Sequence, residues 1–241
     1  ESNMSHLKLF CFPYAGGSAI MYSQFKKHLR KSIKMVPVEL AGRGKRFEEP
    51  FYESMEDAIN DVYEIIGDEF EKSRYALLGY SMGSWLTYGL YKKIVQNHRR
   101  QPEHLFLAAK EPPHVQIDAK IVHKLDDENF MKEIFHMGGT SEKLLENKEW
   151  LDLFLPILRA DYRITEMYKE SSLKEKLNCP VTVFAGEDDE INVKDIKRWD
   201  EITNHDFSFY TFAGGHLFIQ NNVEGICDII NDTFHSGSLA L

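Results

Sequence analysis

Long apolar runs are missing from this chain. None of its 241 residues fall in a stretch approaching the roughly 18 to 20 apolar residues that a membrane-spanning helix needs. A soluble protein without a membrane partner is therefore expected. Cysteine is scarce. Cys11, Cys179 and Cys227 are far apart, odd in number and without metal-ligand spacing, which excludes a disulfide framework and a thiolate metal site. Reduced thiols fit a cytoplasmic protein. Basic residues are in deficit, with 29 Lys and Arg against 38 Asp and Glu, so a general nucleic-acid surface is excluded, and any ligand phosphate needs a local cationic site. Internal repeats and low-complexity tracts are also lacking. Residues 1–3 precede Met4 and read as an expression scar, and the residues after Met4 lack the apolar region of a signal peptide.

What is present is alternation. Short apolar segments, "LKLFCF" (7–12), "IKMVPV" (33–38), "YALLG" (75–79), "LFLAA" (105–109), "VTVFAG" (181–186) and "FSFYTF" (207–212), are separated by longer amphipathic ones. A mostly parallel central sheet flanked by helices is the economical α/β architecture. In "SMEDAINDVYEIIGDEF", Met55, Ile59, Val62, Ile66 and Phe70 recur at helical spacing behind a Ser54/Asp57 capping pattern, which predicts one sheet-covering helix.

A parallel crossover needs about a dozen residues. About seventy separate "LFLAA" from "VTVFAG". The excess predicts an insertion at 114–170, read as a helical lid on a core made of 4–113 and 171–236. Its pieces are "LDDENFMKEIF", "SEKLLENKEW" and "LFLPILRADYRITEMYKE", with Gly138 and Gly139 as a break and Pro156 as a kink or helix start. Leu155 and Leu158 are the positions at which an apolar acyl chamber would be tested. An elaborated core without lid function is the plainer alternative.

Gly79-Tyr80-Ser81-Met82-Gly83 fits the nucleophile elbow G-x-S-x-G, weak as a pattern but strengthened by the strand "YALLG" before it and the helix "SWLTYGLYKKIVQ" after it. A serine hydroxyl needs a histidine to take its proton and a carboxylate to hold that histidine. The best histidine is His216 in "AGGHLF", just past a strand. The other nine, among them His6, His28, His98 and His136, read as surface residues. The acid is Asp188 or Asp189 in "GEDDEI". Hydrolases of this type present it third after the glycine that ends the strand, which favours Asp189. Two N–H donors must meet the oxyanion: Met82, directly after the serine, and Ala15 in "FPYAGGSA", where Gly16 and Gly17 let the backbone turn. A tight Pro-Gly turn is the alternative for that loop.

The order and spacing of "FCFPYAGGSA", "ELAGRGKRFEE", "LLGYSMGSW", "EPPH" (111–114), "LPILRADYR", "VFAGEDDE" and "FAGGHLFI" resemble the type II thioesterases, discrete editing hydrolases of non-ribosomal peptide and polyketide synthetases. The resemblance covers nearly the whole chain. It implies an α/β-hydrolase fold with a helical lid and a triad falling on Ser81, Asp189 and His216. The reaction it implies is hydrolysis of acyl groups from the phosphopantetheine thiol of an acyl- or peptidyl-carrier protein. A monomer without metal or other cofactor is expected. Tyr80, where the elbow usually has His, and Ala41, where the "GRG" loop usually follows Pro, depart from the pattern and bear on substrate preference or loop geometry. Arg43, Lys45 and Arg46 form a basic cluster that would assist docking of an acidic carrier, a solvated turn being the plainer reading. Arg159, Asp161 and Arg163 read as an ion-pair network. A small-molecule carboxylesterase or lipase, a medium-chain fatty-acyl carrier thioesterase and a non-catalytic binding protein remain as alternatives.

Overall fold

The computed structural model describes residues 6–136, 146–169 and 175–235. Six strands form one sheet: β1 (Leu7–Phe12), β2 (Ile33–Pro37), β3 (Arg74–Tyr80), β4 (Leu105–Ala108), β5 (Val181–Gly186) and β6 (Phe207–Phe212). Their order is β2-β1-β3-β4-β5-β6 and every pairing is parallel. Each lies where an apolar segment was expected, with ends shifted by a residue or so. The inner strands β1, β3, β4 and β5 are buried nearly end to end because helices cover both faces of the sheet. At the β6 edge exposure alternates, and Tyr210 faces outward.

The helices are α1 (Met55–Ile66), α2 (Glu69–Lys72), α3 (Met82–Gln96), α4 (Asp127–His136), α5 (Lys148–Met167), α6 (Val193–Ile196) and α7 (Val223–Thr233). Ser54 Oγ accepts the Asp57 N–H at 3.1 Å and starts α1, whose buried stripe packs with α3 on one face of the sheet. The single helix expected through Phe70 is two. Gly67, at φ +51°, ends α1, and the chain restarts as α2, which still buries Phe70. On the opposite face α7 covers the strands with Tyr22 and Phe25.

The inserted segment carries α4 and α5, which share a third apolar cluster around Phe130, Met131, Ile134 and Leu158. Pro156 neither starts nor ends α5, which runs through it. The ring forfeits the bond to the carbonyl four residues earlier, at Asp152, and both residues lie on the exposed side, where that carbonyl is open to solvent. Gly138 and Gly139 lie outside the described residues. Among the described residues no helix is long and apolar enough to cross a membrane.

The expectation that every histidine except His216 is superficial fails at His104, which is 8% exposed. It precedes β4, its Nε2 is 2.7 Å from Thr182 Oγ1 on β5, and its ring lies 4.4 Å from that of Phe106. Burial, with help from His205, lowers its pKa to about 4. The folded state thus prefers the neutral ring. That preference contributes fully above the unfolded value near 6.5 and is lost as the pH falls from there toward 4. The loss amounts to as much as about 3 kcal/mol. Urea unfolding of the wild type at pH 7.5 and pH 4.5 is expected to show a drop of this order beyond that of His104→Gln, and equal drops for both proteins would remove His104 as the cause.

Candidate active site

The site follows from strand order. The chain leaves β1 toward β2 on one side, and leaves β3 toward β4 on the other, so the loops after these two neighbours diverge and open a crevice above the sheet. Phe12 pairs with Gly79 at the mouth of that crevice. Ala15 lies on one wall and Ser81 on the other, and both line a cleft of about 410 Å³.

Ser81 sits between β3 and α3 at φ +56°, a left-handed value that costs a residue with a side chain on the order of 1–3 kcal/mol. Its surroundings hold it there. Its N–H donates to the Ala108 carbonyl at 2.7 Å and its carbonyl accepts the Ser84 N–H at 2.8 Å. Gly79 and Gly83 are required by space: a Cβ on Gly79 would collide with the Gly83 carbonyl, and one on Gly83 would lie 2.5 Å from the Phe12 carbonyl oxygen. The elbow therefore packs directly on the end of β1.

His216 Nε2 lies 2.8 Å from Ser81 Oγ, and His216 Nδ1 lies 2.9 Å from Asp189 Oδ2. The carboxylate of Asp189 is 1% exposed, and its other oxygen accepts the Ile191 N–H at 3.0 Å. A carboxylate can only accept, so Nδ1 carries the proton and Nε2 presents its lone pair to the serine. The neighbouring Asp188 points to solvent, and its N–H donates to the Gly214 carbonyl at 2.9 Å, which ties the acid loop to the histidine loop.

Tyr80 has a definite task in this arrangement. Its hydroxyl donates to the His216 carbonyl at 2.6 Å and accepts the Ile219 N–H at 3.3 Å. Burial pushes the phenol well above its ordinary pKa; the Ile219 amide pulls the other way and Asp189 adds to the rise. It stays a neutral donor that holds the histidine loop over β3.

The Met82 N–H stands at the first turn of α3, beside Ser81. In the opposite loop the Gly16 N–H donates to Asp161 and the Gly17 N–H to the Tyr14 carbonyl, while the Ala15 N–H meets no acceptor among the described residues. The five residues expected at the site thus converge on one cleft. Its far wall comes from the insertion, including Ile117, Val122, Tyr162 and Thr165. Leu155 and Leu158 do not line it. They pack in the apolar cluster between α4 and α5, and a Cβ on Gly16 would lie 2.7 Å from Leu158 Cδ1.

The basic cluster is corrected most. Arg43 is buried and paired with Asp161, Arg46 pairs with Glu49 and Asp61, and Lys45 alone is freely exposed. Neither a docking patch nor a solvated turn describes it. The expected network of Arg159, Asp161 and Arg163 is likewise divided: Asp161 faces Arg43, Arg159 pairs with Asp127, and Arg163 is exposed. Sequence reading missed Arg43 and Asp161 as neighbours of the site, and Gly16, next to Ala15, was the signal that the loop needed an outside anchor.

Residues 7–234 match the family described as thioesterase domain. Thioesterase PikA5 of Streptomyces venezuelae is 33% identical over 229 residues, 95% of this chain and 81% of that protein. A protein named linear gramicidin dehydrogenase LgrE, of Brevibacillus parabrevis, is 32% identical over 232 residues, 95% of this chain and 88% of its own length. Among solved structures, ClbQ from the colibactin NRPS/PKS pathway matches with a TM-score of 0.90 at 32% identity, over 96% of this chain and 98% of that one.

Asp189→Asn is expected to lower kcat by as much as about ten-thousandfold through the wrong histidine tautomer, with Asp188→Asn near wild type. The reverse ranking in steady-state assays would move the acid to Asp188. Tyr80→Phe is expected to keep the fold, at a cost of about 1 kcal/mol, and to lower kcat about ten- to a hundredfold as His216 drifts. Wild-type kcat in that variant would leave Tyr80 with packing alone.

Proposed function

The chain belongs to the thioesterase domain family, and on that premise we propose that it hydrolyses acyl groups from the phosphopantetheine thiol of carrier proteins, clearing misprimed or stalled chains from a peptide or polyketide synthetase. The observation that carries the reading is the unbroken chain Ser81 Oγ, His216, Asp189 at the floor of a cleft. Ser81 Oγ attacks the thioester carbonyl carbon and its proton passes to His216 Nε2. The carbonyl oxygen becomes an oxyanion met by the Met82 and Ala15 amides, each worth about a hundred- to a thousandfold in rate. As the tetrahedral adduct collapses, the carbon–sulfur bond breaks and His216 protonates the departing thiolate. Water then attacks the acyl-serine with His216 again as base, and the free acid leaves with Ser81 restored.

The positive end of α3, which begins at Met82, adds to the stabilisation of the oxyanion. The helical insertion serves as a cover over the acyl group, keeping bulk water from the thioester. Hydride transfer, suggested by the Brevibacillus relative's name, calls for a glycine-rich turn after β1 with amides open to a pyrophosphate. Here Gly16 and Gly17 give their amides to Asp161 and Tyr14, and the Asp161 carboxylate would repel an anion.

The test is mass spectrometry of a set of acyl-phosphopantetheinyl carriers after incubation with the enzyme. Short acyl carriers are expected to lose the acyl group and keep the pantetheine arm. Ser81→Ala is expected to be folded and slower by about a millionfold in kcat. Faster cleavage of a nitrophenyl ester than of every acyl carrier would make this a small-molecule esterase, and preference for medium-chain fatty-acyl carriers would make it a chain-length-setting enzyme.

A further inference from the structure

The turn that presents the Ala15 amide is closed locally and anchored from a distance. The Gly17 N–H donates to the Tyr14 carbonyl at 2.9 Å, and Gly16 between them has φ +78°, the value the third residue of a type II turn takes. Because the peptide is planar and trans, the Ala15 N–H points opposite to the Tyr14 carbonyl, out of the turn and away from Gly17. The central peptide, between Ala15 and Gly16, is the part that a turn flips when it changes type. Its N–H is the one that Asp161 Oδ2 takes, at 2.7 Å, from a position 145 residues further along the chain.

Asp161 is itself held in a two-pronged grip. Arg43 Nη2 donates to Oδ1 at 2.7 Å and Nη1 to Oδ2, while the same guanidinium reaches the Gly17 and Ala41 carbonyls at 3.3 Å each. Both side chains are 2% exposed. Burial disfavours the charge on Arg43, and the bonds and field of Asp161 more than offset it, so its pKa is raised. One donor, Nε, is buried without a partner. A buried pair of this kind adds little net stability over apolar residues of the same volume, and leaving one donor unmet makes it worse on that score. An apolar pair would serve packing equally well, but no apolar side chain can accept the Gly16 N–H.

We propose that Asp161, oriented by Arg43, is a positioning residue for the hydrolysis: by holding the Gly16 N–H it keeps the central peptide of the Tyr14–Gly17 turn in one orientation, with the Ala15 carbonyl turned away from Asp161, and so fixes the loop that carries the Ala15 amide. This rests on the reading of Ala15 as an oxyanion donor. If the peptide flips, the Ala15 carbonyl oxygen turns toward the Asp161 carboxylate in place of the Gly16 N–H, and the repulsion between the oxygens disfavours that state. Arg43 and Asp161 neither line the cleft nor bond to Ser81, His216 or Asp189, so their removal is expected to be felt in turnover and not in substrate affinity or in the pH profile.

The experiment compares wild type, Asp161→Asn and the paired replacement Arg43→Met with Asp161→Leu, using an acetyl-phosphopantetheinyl carrier and p-nitrophenyl acetate. The paired variant keeps volume without a buried charge and is expected to melt within a few degrees of wild type. Its kcat is expected to fall by about ten- to a thousandfold on both substrates, the range for losing one oxyanion donor, with KM within about threefold and an unshifted pH profile of kcat/KM. In Asp161→Asn the side-chain oxygen is shared between Gly16 and Arg43, and at least a tenfold loss of kcat with unchanged KM is expected there too, which serves if the paired variant does not fold. A folded paired variant with kcat within threefold of wild type would overturn the proposal, as would a loss carried in KM or a shifted pH profile. Should the wild type cleave neither substrate, the reading as a serine hydrolase fails, a result separate from equal activity in wild type and variants.

Discussion

The site depends first on one reversal of direction in the sheet. Once β3 lies beside β1 and not beside β2, two loops with no sequence relation are forced to begin one strand spacing, about 5 Å, apart and to part company above the sheet. The contact between them is made of backbone. Gly83 rests on the carbonyls of Phe12 and Pro13, so the nucleophile elbow and the Ala15 turn share a wall with no side chain to adjust. Any residue with a Cβ at that point would lift α3 and with it Ser81 and Met82. The left-handed backbone of Ser81 is tolerated because bonds to Ala108 and Ser84 fix both of its ends.

His216 has the harder journey. β6 lies three strand spacings from β3, or about 14 Å, and the histidine must reach back across β4 and β5. β4 stops early, at Ala108, and leaves room. The acid and base loops then travel together: the Glu187 N–H bonds to the Phe212 carbonyl and the Asp188 N–H to that of Gly214 before Asp189 meets His216. Tyr80 completes the span from below with its bond to the His216 carbonyl. A histidine in its place has a shorter reach, so the departure at this position alters how the loop of His216 is held and leaves Ser81, His216 and Asp189 within hydrogen-bond reach of one another.

What was legible in the sequence was what neighbouring residues encode. Strands showed as apolar runs, the start of α1 as Ser54 with Asp57, and the elbow as glycines flanking a serine between a strand and a helix. Asp189 and His216 were legible because chain order and strand ends restrict where an acid and a base can stand. What was hidden was pairing across distance between polar residues. Arg43 in "GRGKR" has the composition of a solvated turn, and Asp161 lies 118 residues away amid other charges, so nothing local reports that each neutralises the other in the interior. His104 was misread for the same reason, since its partner Thr182 is on another strand. Of the two readings of Pro156, a kink or a helix start, the helix start falls because α5 begins at Lys148, and a proline at an exposed position costs the helix only one bond.

The insertion is held by two kinds of anchor. α5 meets the core through the buried pair of Asp161 and Arg43 and through Leu158 and Phe154 against Gly16. Parting such a pair leaves a charge stranded in the interior, at a cost of about 3–5 kcal/mol. α4 is tied at its end by His136 with Glu190, at 76% and 48% exposure, and at its flank by Glu133 with Lys120, the lysine at 77%. Exposed pairs of this sort are worth about 0–1 kcal/mol each and weaken further with salt. The apolar cluster between α4 and α5 resists their separation, but α4 has no buried ionic tie to the sheet among the described residues. The ionic ties of α5 to the core are therefore buried, and those of α4 lie near solvent. Asp161 also holds the Gly16 amide, so α5 and the turn that contains Ala15 are joined as one piece, through a bond in which α4 has no part.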